Sequence, residues 1–287
     1  MQVTKLGDVE RRPRRVAVGE FDGVHLGHRE VIAGSDTVLT FEPHPLQVVR
    51  PEAAPRLLTS FEVKCELIAG LGVEELVVIP FDDSFASQTP QEFIDEVLVD
   101  SLEATRVSVG ENFRFGHRAA GDPHVLAADS RFETRVVALV EVDGEIVSSS
   151  HIRALVGAGE VESAAKMLGA PFQMRGEVVE GDRRGRTLGF PTANIVPDEA
   201  LVIPGHGVYA AHADGACAAV NVGVRPTFGT GRAVLVEAYL LDREVDLYGH
   251  MLKVEFLNRL RGERRFDSVA ALVEQMTLDV EQTREFC

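Results

Sequence analysis

The chain is short of cysteine, of positive charge and of long apolar runs, and each shortage narrows its class. Three cysteines occur among 287 residues, at Cys65, Cys217 and Cys287. Their number is odd and no two form a CxxC pair, which excludes a disulfide framework and a cysteine zinc site and fits a reducing compartment. Lys and Arg total 29 against 45 Asp and Glu, a formal charge of −16. So acidic a surface argues against general nucleic-acid binding and repels phosphates at long range. Any anion site must therefore be built locally, from Arg, His and backbone N–H groups. No stretch approaches the roughly 18 uninterrupted apolar residues of a membrane span. The segment around Lys5 and Asp8 lacks the apolar core of a signal peptide. The expectation is a cytoplasmic protein with no nucleic-acid, membrane or obligate protein partner.

Hydrophobic residues make up 45% and charged residues 26%, an ordinary globular balance. At roughly 150 residues per domain, the length suggests two domains. The first half alternates strand and helix signals. Val16-Ala17-Val18 leads into Gly19-Glu20-Phe21-Asp22-Gly23, and a short helix is expected from about Val24 to Ala33. Thr37–Phe41, Leu76–Ile79 and Arg106–Val109 read as further strands, with helices after Ser60 and Pro90. Strands separated by single helices imply an α/β domain with a mostly parallel, Rossmann-like sheet. Ligands of such sheets bind beyond the carboxyl ends of the strands, where Gly19–Gly23 and Gly110–Gly116 fall.

The second half changes character. A helical stretch from His151 to Leu168 is expected to split at Gly159. Beyond Pro171, short alternating runs punctuated by Gly, Pro and Asp imply a small β-barrel. Ser268 caps a final helix, with Val269, Leu272, Val273, Met276 and Val280 on one face. The expected domains are 1–169 and 170–287.

GEFDGVHLGH is the most informative segment of the first half. His25 and His28 lie three apart at a helix start, where free N–H groups and a partial positive charge favour anions. Gly19 and Gly23 let the backbone approach a bound group, and Gly27 lets a ligand lie against the helix. The assembly suits nucleotide phosphates. A pair of surface histidines after a tight turn is the plainer alternative.

GxFDGxHxGH, then Thr40-Phe41-Glu42-Pro43-His44-Pro45, Gly110-Glu111-Asn112-Phe113-Arg114-Phe115-Gly116 and Val147-Ser148-Ser149-Ser150-His151-Ile152-Arg153 follow in order. Together they resemble the prokaryotic bifunctional riboflavin kinase/FAD synthetases, over nearly the whole chain. The resemblance implies that the N-terminal domain transfers AMP from ATP to FMN. It implies that His25, His28, Gly19, Phe21, Gly23 and Ser149 hold the nucleotide, with Arg153 clamping the phosphates and Asn112 and Phe115 on the flavin side. Arg suits phosphate because its fork gives two parallel bonds. Serine stands at Ser150 where the family usually has threonine. Only 14 residues separate His28 from Pro43, room for a strand and a helix of roughly ten residues, near 15 Å. The family is usually longer here, so a kinase with a degenerate first domain is one alternative; a non-catalytic flavin-binding regulator is another.

GEVVEGDRRGRTLGFPTANI resembles the riboflavin kinase signature. Gly181, Gly185 and Gly189 form a turn, and Arg183, Arg184 and Arg186 bring positive charge to it. Thr192 and Asn194 are two apart, so in an extended chain they share a face. A hydroxyl and an amide oxygen are hard ligands of the kind Mg²⁺ accepts beside phosphates. Within the resemblance, Gly181, Arg186, Thr192 and Asn194 are expected at the nucleotide, with Thr192 and Asn194 as metal ligands. Glu237 matches the base position beside the flavin's ribityl hydroxyl and is expected to point into the barrel mouth. Asn221–Phe228 and Asp246–Gly249 fit the pattern as architecture and pocket lining. Arg261, Glu263 and Phe266 resemble a substrate-side flap. The implied small molecules are ATP, Mg²⁺, riboflavin, FMN and FAD.

Overall fold

A computed structural model describes residues 1–180, 190–227, 231–243 and 247–287. The chain forms two compact units, Met1–Ser149 and Ser150–Cys287. In the first, strands β1 (Gln2–Lys5), β2 (Arg14–Val18), β3 (Thr37–Glu42), β4 (Glu75–Pro80), β5 (Ala104–Gly110) and β6 (Glu133–Val137) form one sheet. Its order is β1-β4-β3-β2-β5-β6, and every pairing is parallel. Helices cover both faces, so the central strands are apolar throughout. Val16 and Val18 pack in one core with Leu39, Val77 and Val107. Ala17, between them, faces a second core with Val38, Leu76 and Ile68. A small hairpin, β7 (Glu141–Val142) and β8 (Glu145–Ile146), follows the sheet.

The helix after the Gly-rich segment is Leu26–Ile32, shorter than expected. It still covers its part of the sheet, because Val31 and Ile32 are buried in the second core. The short link thus holds the end of this helix and a complete β3. Ser60 caps helix Phe61–Ala69 by accepting from Val63 N–H at 3.3 Å. Two buried ionic groups carry no sequence signal. Lys64 is 4% exposed, and Arg14, 1% exposed, donates through Nε to Glu75 Oε2 at 2.9 Å.

The second unit is a closed antiparallel barrel of β9 (Phe172–Val179), β10 (Ala193–Pro197), β11 (Gly207–Ala213), β12 (Ala216–Thr227), β13 (Gly231–Leu240) and β14 (Met251–Arg261). The order around it is β10-β13-β12-β11-β14-β9. Val220, Val222, Val236 and Ala238 are fully buried and alternate with half-exposed residues such as Asn221 and Glu237. Helices Ser149–Ala158 and Val161–Leu168 meet at Gly159, as expected. The second docks on β14 through Glu162, whose carboxylate accepts from Asn258 Nδ2 at 3.1 Å and Arg259 N–H at 2.8 Å. Helix Val269–Phe286 is capped by Ser268. Its buried side includes Asp279 and Thr283, whereas Val269, expected inside, is 64% exposed. Val269 is the first residue of the helix, while Leu272, Val273, Met276 and Val280 are all half-buried. Asp279 holds the Arg261 guanidinium through both oxygens, at 2.7 to 3.1 Å.

Candidate functional site

In the first unit β2 is central, with β3 and β4 on one side and β5 and β6 on the other. The chain leaves the ends of β2 and β5 in opposite directions, and crevices of this kind receive nucleotides. The Gly19–His25 loop follows β2. Gly19 N–H donates to Leu39 O at 3.1 Å, and Gly23 N–H donates to Thr59 Oγ1 at 3.3 Å. Asp22, 2% exposed, accepts from Leu58 N–H at 2.9 Å and Thr59 N–H at 3.2 Å. Ser149 Oγ donates to the Asp22 carbonyl at 2.9 Å. Three segments distant in sequence therefore fix this loop. The aspartate is an anchor, a role the motif alone does not reveal.

His25 is the N-cap of helix Leu26–Ile32, its Nδ1 accepting from His28 N–H at 3.3 Å. That bond places the neutral ring's proton on Nε2, making it a donor suited to a phosphate oxygen. The two imidazoles stack with centroids 3.5 Å apart and planes 16° apart. Phe21 packs edge-on against His28 at 5.3 Å and is 1% exposed. The structure therefore brings Gly19, Phe21, Gly23, His25, His28 and Ser149 together. Gly27 has a different use from the one expected: a Cβ there would meet the His25 ring at 3.3 Å, so it makes room for the imidazole. Arg153 lies one turn along the helix that begins at Ser149, its Nη1 3.4 Å from Ser150 Oγ.

After β5, Asn112 is exposed and Phe115 is 6% exposed. The Phe115 ring packs on Phe93 at 5.3 Å and stacks on Phe113 at 5.6 Å, so it belongs to the core beneath the loop.

Within the Gly19–His25 loop, the buried Oε2 of Glu20 has no hydrogen-bond partner. Burial pushes its pKa up to about 8; Lys64 opposes the shift, while Asp22 and Glu42 add to it. A carboxyl that binds its proton more tightly in the folded state loses stability as pH rises from the unfolded pKa, 4.5, to the folded one. Stability against urea is therefore expected to fall between about pH 5 and 8, and Glu20→Gln to flatten that fall. An unchanged slope in the variant would assign the pH dependence elsewhere.

In the second unit, Asn194 on β10 stands opposite Glu237 on β13, and Glu237 stands opposite Asn221 on β12. Directly opposed residues share a face of the sheet. Asn221 Nδ2 donates to Glu237 Oε2 at 3.4 Å, and Asn194 is 7% exposed. Thr192 lies immediately before β10, one residue ahead of its first pairing, Ala193 with Ala238. The row Asn194, Glu237 and Asn221 corrects the expected direction of Glu237. Its neighbours Val236 and Ala238 fill the barrel interior, so the carboxylate lies on the outer face. Phe190 packs edge-on against Tyr239 on that face at 5.3 Å. Gly181, Arg183, Arg184, Gly185, Arg186, Gly189, Phe228 and Asp246 lie outside the described residues. Arg261 donates to Asp279 at 2.7 Å, and Phe266 lies 5.8 Å from its guanidinium.

A parallel-sheet unit with a histidine-bearing Gly-rich loop, joined to a closed barrel bearing the row Asn194, Glu237 and Asn221, has the class expected of a two-domain nucleotide-dependent enzyme. Residues 8–151 match the FAD synthetase family model, and residues 168–287 match the riboflavin kinase model. The bifunctional riboflavin kinase/FMN adenylyltransferase of Listeria monocytogenes is 37% identical over 94% of this chain and 91% of its own length. The Escherichia coli K12 enzyme of the same name is 36% identical over 94% and 92%. A crystal structure described as a macrolide-efflux protein from Streptococcus pneumoniae superposes with a TM-score of 0.91, 31% identity and full coverage of both chains. The chain belongs to the bifunctional riboflavin kinase/FMN adenylyltransferase family. No helix among the described residues is long and apolar enough to cross a membrane.

Proposed function

We propose that riboflavin is phosphorylated on the outer barrel face around Glu237, and that FMN is adenylylated in the crevice beyond β2 and β5. The chain is an enzyme of FAD biosynthesis. It converts riboflavin and ATP to FMN, then FMN and ATP to FAD with release of pyrophosphate. The observation that carries the kinase assignment is the row Asn194, Glu237 and Asn221 on one face, with Thr192 just before β10. Glu237 accepts the proton of the attacking ribityl hydroxyl, and Asn221 holds the carboxylate in place. Thr192, Asn194 and Glu237 offer a hydroxyl, an amide oxygen and a carboxylate, a donor set that fits Mg²⁺. Thr192 and Asn194 would hold the ion, which when bound neutralises charge on the ATP phosphates. Gly181 and Arg186 belong to this nucleotide site through the family signature.

In the adenylylation, His25 and His28 donate to the ATP phosphates, and Arg153 adds a bidentate clamp. Gly19, Phe21, Gly23 and Ser149 keep the loop in shape, while Asn112 and Phe115 belong to the flavin side. No covalent intermediate is needed; alignment and charge neutralisation suffice. The functional domains are 1–169 and 170–287, with the helical pair counted with the first through Ser149 and Arg153. The enzyme works in the cytoplasm.

The test uses purified chain with riboflavin, excess ATP and Mg²⁺, resolving the three flavins by chromatography over time. FMN followed by FAD is expected, and chelation of the divalent ion is expected to stop both steps. FMN accumulating without FAD, even when FMN is supplied directly, would remove the adenylyltransferase assignment.

A further inference from the structure

The spacing of the cysteines along the sequence gives no sign of a zinc site, yet the fold gathers two of them around a histidine. β11 and β12 form a hairpin closed by Asp214 and Gly215, both at positive φ, 45° and 76°. Such turns fix register, and here His212 stands directly opposite Cys217. A slip of one residue would put the two side chains on opposite faces. Helix Val269–Phe286 then delivers Cys287 to the same place, its thiol donating to Ala211 O at 3.8 Å. The delivery is anchored twice. Arg284 donates to both oxygens of Asp242 at 2.6 and 2.8 Å, and Asp279 binds Arg261 one helical stretch earlier. The imidazole nitrogen and the two sulfurs lie within 4.8 Å of one another.

We propose that His212, Cys217 and Cys287 bind a borderline-soft transition-metal ion of the zinc class. In a tetrahedral zinc site, Zn–S near 2.3 Å and Zn–N near 2.0 Å put the donors roughly 3.5–3.8 Å apart. The observed cluster needs to contract by only about an ångström at its widest to reach that spacing. Two sulfurs and an imidazole select zinc-like ions over magnesium, which takes hard oxygen donors. Three protein donors leave a fourth position for water or an added ligand. The site is separate from the oxygen row: Cys217 and Asn221 are four residues apart on β12, about 13 Å along the strand. A bound ion would pin the end of the last helix to the hairpin.

The test is titration of the full chain, carrying Cys65→Ser and reduced with a phosphine, with Co²⁺ under anaerobic conditions. A thiolate-to-cobalt charge-transfer band is expected, saturating at one ion per chain. One equivalent of Zn²⁺ should bleach it, and a large excess of Mg²⁺ should not. Cys217→Ser and Cys287→Ser should each weaken binding at least about tenfold. Cys287 is exposed, so its serine variant keeps the fold and its riboflavin phosphorylation verifies this. Absence of the band from the reduced chain, or its persistence unchanged in Cys287→Ser, would overturn the proposal.

Discussion

Glu237→Ala is expected to lower riboflavin phosphorylation about 10²- to 10⁴-fold, the usual range for loss of a positioned base. FMN-to-FAD conversion by the same variant is expected to stay at the parent level. The first expectation rests on the place of Glu237 between Asn194 and Asn221 on the outer barrel face. The second rests on separation by element, since none of the residues assigned to FMN adenylylation stands on the barrel strands. The side chain points away from the barrel interior, so its removal leaves no core cavity. Glu237→Gln should fail in the same way, because an amide keeps the shape and cannot take the proton. The two conversions are read in parallel from one preparation. Equal loss of both in a folded variant would refute the division of labour.

Glu75→Ala is expected to destabilise the first unit by about 3–5 kcal/mol, the cost of breaking a buried ion pair by removing one partner. Arg14 is 1% exposed and cannot shed its charge. Its guanidinium would keep only carbonyl partners, Glu10 O at 2.7 Å, Arg12 O at 3.0 Å and Leu102 O at 3.4 Å. Arg14→Ala should be milder, because Arg12 Nη2 also reaches Glu75 Oε2, at 3.1 Å. The double variant Arg14→Met, Glu75→Leu should recover much of the loss, since well-packed apolar pairs often replace buried ion pairs without penalty. Urea denaturation ranks the three variants. A Glu75→Ala midpoint equal to that of the parent would mean the pair contributes nothing to folding.

The α/β half was legible because its strands are short apolar runs bounded by Gly, Pro and capping residues such as Ser60. The strands that escaped, β1 and β6, lie at the sheet edges and are half polar. One flank of an edge strand faces no neighbour, so it needs no apolar run. The direction of Glu237 was hidden because Leu235 and Tyr239, on its own face, are as apolar as the residues facing the core. Chemistry resting on long-range pairing was hidden altogether. Arg14 meets Glu75, and Cys217 meets Cys287, only through topology. The pairing of His25 with His28 was legible because its spacing is local and survives into the fold.

The anchoring of the Gly19–His25 loop has a thermodynamic consequence. Asp22 is held by the amides of Leu58 and Thr59, and Ser149 grips its carbonyl. The loop's conformational entropy is therefore given up during folding, not when a nucleotide arrives. Where ATP binds at this loop, as proposed, its affinity is not taxed by ordering, and the stiffness of the cradle adds to the grip.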